Sequence, residues 1–157
     1  MAKLRIAVGS DHAGYEGPPH YKPEIMAHLG VKGYDVINCG TDSADSVDYP
    51  DLAERVSKKV LSGEADLGIL ICGTGIGMCM TANRLRGIRA AICTTPLMAK
   101  LSREHNAANV LCLGRRILSL DQCKEIIDAW IAEPVSQVDR HRRRVDKMDA
   151  VSGDKPQ

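Results

Sequence analysis

The chain has 157 residues, a formal net charge of +1 and 44% hydrophobic residues. That length suits one domain, and the near-neutral balance gives no global field of the kind that draws a protein to nucleic acid or to a membrane surface. Aromatic residues are 3% and Phe is absent, so the core must be built mainly of Val, Ile, Leu, Ala and Met.

Short β-rich apolar runs alternate with longer helical patterns. Leu4–Gly9 (LRIAVG) reads as a first strand. The next stretch, "YEGPPHYKPE", puts three prolines where a crossover helix should begin. A short helix over Pro23–Leu29, after an extended loop, is the expectation, with Pro23 tolerated in the first turn. Asp35–Cys39 reads as a second strand. Tyr49–Leu61 carries apolar residues at Leu52, Ala53, Val56, Val60 and Leu61, one helical face. Leu67–Cys72 (LGILIC) is almost wholly apolar, as a central parallel strand should be. A helix over Gly77–Leu85 follows it.

Arg89–Cys93 and Asn109–Leu113 complete five strands, with Pro96–Arg103 a helix between them. Leu120–Ile131 and the basic stretch Val138–Val151 read as the last two helices, and Ser152–Gln157 as a frayed tail. This alternation predicts a Rossmann-like, doubly wound, five-stranded parallel sheet in a three-layer α/β/α domain spanning residues 1–151. No apolar run reaches the length of a membrane span and no signal-peptide pattern precedes the first strand, so a cytoplasmic protein is expected. Six cysteines fall largely in strand-like runs without any CxxC. That argues against a zinc site or a thioredoxin-type motif, and reduced, mostly buried thiols are expected.

Ligands of open α/β sheets bind beyond the carboxyl ends of the strands. Polar, ionisable and glycine residues collect there: Ser10-Asp11-His12 after strand one, Cys72-Gly73-Thr74-Gly75-Ile76-Gly77 after strand three, and Gly114-Arg115-Arg116 after strand five. The glycine-rich turn is neither a P-loop nor a dinucleotide fingerprint, since no GK[ST] follows and the spacing is GxGxG. Its backbone N–H groups can converge on an anion. Thiols beside such a ring of amides are acidified, so Cys72 is a candidate nucleophile or general base, against the alternative of a buried strand-end cysteine.

His12 suits a phosphate or a sugar hydroxyl, or is a turn residue. His105, on a polar loop before Asn106, suits a proton shuttle or a helix C-cap. Arg140 and Arg144 lie four apart, so on a helix they share a face and can clamp a phosphate. A solvated face is the alternative. A nucleic-acid patch is disfavoured by the neutral total and by Asp139, Asp146 and Asp149.

"GSDHAG", "DYP", "ILICGTGIGMCMTANR", "GIRAAIC", "LSREHNAANVLCLGRR" and "RHRRRV" occur in that order between about Ile6 and Val151. In these segments the chain closely resembles the ribose-5-phosphate isomerase B family, which includes galactose-6-phosphate and allose-6-phosphate isomerases. The resemblance implies an aldose–ketose isomerase of a sugar phosphate that works through an enediolate, with no metal and no cofactor. It makes Cys72 the base that moves a proton between C1 and C2, and His105 the ring-opening acid/base. Thr74 joins these two as a catalytic candidate, and the amides of Gly73, Gly75, Ile76 and Gly77 receive the oxyanion. Asp11, His12, Tyr49 and Asn106 match positions that touch sugar or phosphate, and Arg116, Arg140 and Arg144 match phosphate-binding arginines.

The family's homodimers share sites between subunits and often pair into tetramers. A pentose phosphate is the leading substrate, a six-carbon sugar phosphate the runner-up, and a non-catalytic sugar-phosphate-binding module the third reading. Two departures stand out. Glu16–His20 looks like a few extra residues beside Asp11-His12. Some relatives use a glutamate further along the turn, where this chain has Met78-Cys79-Met80 and no carboxylate.

Overall fold

The computed structural model describes residues 2–151; the proposed frayed tail lies outside the described residues. Five strands, β1 (Arg5–Ser10), β2 (Asp35–Asn38), β3 (Leu67–Cys72), β4 (Ala90–Ile92) and β5 (Val110–Gly114), form one sheet in the order β2-β1-β3-β5-β4. Every pairing is parallel. Among the described residues the helices are α1 (Tyr21–Val31), α2 (Tyr49–Leu61), α3 (Ile76–Ala82), α4 (Pro96–Asn106), α5 (Leu120–Ala132) and α6 (Asp139–Ala150).

The bounds of β3 and α2 match the sequence expectation, and most other ends move by one to three residues. α1 is longer by two residues at each end. It begins at Tyr21, two residues before Pro23, because proline fits the first turn of a helix, where its missing N–H has no partner to lose. The expected extended loop precedes it, after a short 3-10 turn over His12–Tyr15.

The central strand explains the layering. Successive residues of β3 point to opposite faces. Ile69 and Ile71 join the cluster under α1, α4 and α5, which holds Ile25, Ile127 and the buried Trp130. Leu70 and Cys72 join the cluster under α2 and α3, with Leu52, Val56 and Met78. Burying each such aliphatic side chain contributes roughly 1.5–3 kcal/mol. That fixes β3 in the middle of the sheet.

The chain runs from β1 outward to β2, then crosses to β3 on the other side of β1. That reversal opens a crevice at the carboxyl ends of β1 and β3, where doubly wound sheets bind ligands. Register sets what lines it. Ser10 pairs with Ile71 and Cys72 with Gly114. Asp11, Cys72 and the 114–116 turn therefore leave the sheet side by side.

Candidate active site

The Cys72 turn is held from both sides by backbone bonds. Asp11 N–H donates to the Ile71 carbonyl at 3.2 Å, Arg115 N–H to the Cys72 carbonyl at 2.9 Å and Arg116 N–H to the Gly73 carbonyl at 2.8 Å. The Cys72 side chain is buried, but the sulfur is engaged: Gly75 N–H donates to Sγ at 3.1 Å. Gly75 has φ of +81°, the left-handed conformation that turns its N–H back on the strand end.

The Thr74 hydroxyl turns into its own loop and accepts the Ile76 N–H at 3.2 Å. Two of the candidate oxyanion amides, those of Gly75 and Ile76, are thus directed inside the turn. Among the described residues, no acceptor is placed on the Gly73, Thr74 or Gly77 N–H groups.

Around the turn stand other residues singled out from the sequence. Asp11 is buried, and its carboxylate accepts the Ala13 N–H at 2.9 Å, capping the 3-10 turn. His12 Nδ1 accepts the Val47 N–H at 3.3 Å, which assigns the ring proton to Nε2. Tyr49, at the start of α2, lays its ring on Gly77. A Cβ there would stand 2.7 Å from Tyr49 Cε2, so only glycine admits the ring. Arg116 reaches across Gly73: a Cβ on Gly73 would stand 3.0 Å from its Nη1. The structure thus brings Asp11, His12, Tyr49, Cys72–Gly77 and Arg116 to one sheet edge.

His105 and Asn106 belong to a second group. The sequence places them on a polar loop; the structure corrects this, since α4 continues through Asn106 and is closed by Ala107 in the left-handed conformation. Their neighbour Arg103 turns away from solvent, with its guanidinium 5.5 Å from the Trp130 ring and Nη1 donating to the Ala108 carbonyl. The His105 ring lies 4.3 Å from that of His141. His141 was given no role from the sequence, because nothing in the basic run marks which residue packs inward. It is buried, with Nδ1 2.9 Å from Ser136 Oγ. Burial, then the charge of His105, then Arg140, lower its pKa.

Arg140 and Arg144, exposed on α6, add to the field on His141. No hydrogen bond or ion pair among the described residues joins this group to the Cys72 edge.

A family model described as Ribose/Galactose Isomerase matches residues 6–148. The chain belongs to that family. It is 45% identical over 147 residues to ribose-5-phosphate isomerase B of Escherichia coli, covering 94% of this chain and 95% of that protein. The solved structure of Clostridium thermocellum ribose-5-phosphate isomerase B superposes with a TM-score of 0.88 at 48% identity, covering 93% of this chain and 95% of that one. Type B ribose 5-phosphate isomerase of Trypanosoma brucei superposes with a TM-score of 0.90 at 40% identity, covering 96% and 100%.

Proposed function

We propose that the protein interconverts ribose 5-phosphate and ribulose 5-phosphate through an enediolate, with the Cys72 sulfur as the proton-transfer base. The observation that carries this assignment is the Gly75 N–H aimed at Sγ, at the mouth of the crevice between β1 and β3. Sγ takes the proton from C2 of the open-chain aldose and the electron pair moves to the C1 oxygen; a proton then passes from the C2 hydroxyl to that oxygen, and Sγ returns its proton to C1 as the C2 carbonyl forms. The enediolate's charge needs preorganised donors, and the Gly73, Thr74 and Gly77 N–H groups, which have no acceptor within the turn, supply them without reorganisation. Asp11 and His12 flank the sugar, Tyr49 walls it over Gly77, and Arg116 meets the phosphate.

The second group supports a site shared between two copies of the chain, each giving His105, Asn106, Arg140 and Arg144 to its partner's Cys72 edge. Leu97, Leu101 and His105 follow at four-residue spacing on one face of α4. Leu97 is 64% exposed and Leu101 36% exposed. An apolar stripe that runs into His105 suits a partner surface. His105 then opens the sugar ring, and the arginines hold the phosphate end.

The test is conversion of ribose 5-phosphate by purified protein with EDTA present, alongside kcat/KM on allose 6-phosphate. Turnover that prefers the pentose phosphate is expected. A preference for the six-carbon substrate overturns the substrate assignment, and no turnover of either overturns the enzyme reading.

A further inference from the structure

The proline-rich segment Glu16–His20 lies beside the crevice, and its first residue makes a specific contact. Glu16 closes the 3-10 turn, with its N–H donating to the Ala13 carbonyl at 3.2 Å. Its carboxylate meets Arg116 side-on: Nε donates to Oε2 at 3.3 Å, and Nη2 makes a second bond to Oε1. Its carbonyl accepts from Arg115 Nη2 at 3.4 Å, and Arg115 is itself fixed 4.4 Å over the Tyr21 ring. Glu16 is thus caught between the two arginines that follow β5.

A carboxylate on the Nε and Nη2 edge fixes the plane of a guanidinium as well as its position. What remains is the Nη1 edge, which lies against Gly73 in the space that a side chain there would take: a Cβ would stand 3.0 Å from Nη1. We propose that Glu16 is a positioning residue for Arg116, holding the guanidinium with its Nη1 edge toward the Gly73 turn so that the anionic group of the substrate finds it already in place. This rests on the reading above, in which Arg116 meets the phosphate.

Two effects oppose each other. An unheld arginine loses rotamer freedom when it binds, which weakens affinity by a few-fold to about tenfold. A nearby carboxylate repels a phosphate. The Arg116 side chain is 59% exposed, so solvent and salt screen that repulsion, and the positioning effect prevails.

The experiment measures the Kd for inorganic phosphate and the kinetics on ribose 5-phosphate for wild type, Glu16→Ala, Glu16→Gln and Arg116→Ala. Glu16→Ala should raise phosphate Kd and substrate KM roughly three- to tenfold, with kcat changed by less than about twofold. Glu16→Gln keeps an acceptor oxygen for one guanidinium N–H and should recover part of the loss. A structural role alone would move the Tm and leave that split between KM and kcat unexplained. Tighter phosphate binding in both Glu16 variants overturns the proposal, because the carboxylate would then be a competitor. Weakened binding in Arg116→Ala with none in Glu16→Ala overturns the positioning role alone. No change in Arg116→Ala overturns the phosphate assignment of Arg116 together with the role of Glu16.

Discussion

The two groups of site residues are built differently. At the Cys72 edge the chemistry grows out of the sheet: Asp11 and Cys72 are 7% and 5% exposed, and backbone bonds from β1 and the 114–116 turn hold them. At the far group the residues stand on helix surfaces. The His105 side chain is 42% exposed, and Arg140 and Arg144 face outward on α6. A group fixed by sheet register is organised within one chain. In the proposed shared site, a group of exposed cations and an imidazole beside an apolar stripe would gain its function when a second surface covers it. On the proposed function, the contrast separates the edge that moves the proton from the group that opens the ring and closes over the phosphate end.

The largest effect should come from the sheet edge. Replacing the sulfur in Cys72→Ala removes the base and should lower kcat by roughly 10²–10⁴. Binding of ribose 5-phosphate, measured by calorimetry, should stay within a few-fold of wild type. Full activity in this variant overturns the base assignment. Cys72 packs against Leu70 and Met78, so the variant's Tm is measured alongside to separate lost chemistry from lost packing.

Mixing chains tests whether the two groups meet across an interface. Cys72→Ala and His105→Ala chains are each expected to be nearly inactive on cyclic substrate. If sites are shared, a mixed dimer holds one site with neither defect. Random re-pairing of equal amounts then restores about a quarter of wild-type activity. If each chain carries its own complete site, mixing restores nothing. His105→Ala alone should lose more on ribose 5-phosphate than on an open-chain analogue, and equal losses would remove its ring-opening role.

A smaller effect is expected where Tyr49 crosses Gly77. A methyl group there collides with the ring, so Gly77→Ala should push the ring aside and raise KM roughly tenfold. Alanine favours a helix more than glycine does, so α3 itself should not suffer. Tyr49→Ala should give a similar loss, and the double variant no more than either. Additive losses would mean that the two residues act separately.

These contrasts also explain what could be read from the chain before its fold. β3 was legible to the residue, because six apolar positions bounded by a glycine turn leave few alternatives. The placing of Asp11, Cys72 and Arg116 near one another was legible too, because parallel α/β sheets gather their ligands at one strand end. The partner of Glu16 was not, since Arg116 is 100 positions away and charge pairs at that separation follow only from strand order. Asn106 looked like loop because α4 ends on Ala107 in a left-handed conformation, a role for which glycine is the usual signal. The inward turn of His141 was hidden by the arginine before it and the three after it in the same short run.

His141 gives the smallest and most local test, and it separates the two groups by pH. Its pKa in the fold lies below the unfolded value of 6.5, from burial first and from His105, Arg140 and Arg144 after it; only Glu104 acts the other way. A folded-state pKa below the unfolded one means that the fold favours the neutral ring. The stability this contributes is present above pH 6.5 and is lost as pH falls through the folded value. Wild type should therefore lose more Tm between pH 8 and 5.5 than His141→Gln, which cannot take up the proton and can still hydrogen-bond Ser136. Equal losses in the two proteins would mean that the ring titrates as it does in the unfolded chain. Within one chain the Cys72 edge packs against neither ring, so the fall in Tm of Cys72→Ala with acid should parallel that of wild type. A Cys72→Ala curve that instead follows His141→Gln would show that the two groups are coupled through the fold and are not independent halves of one site.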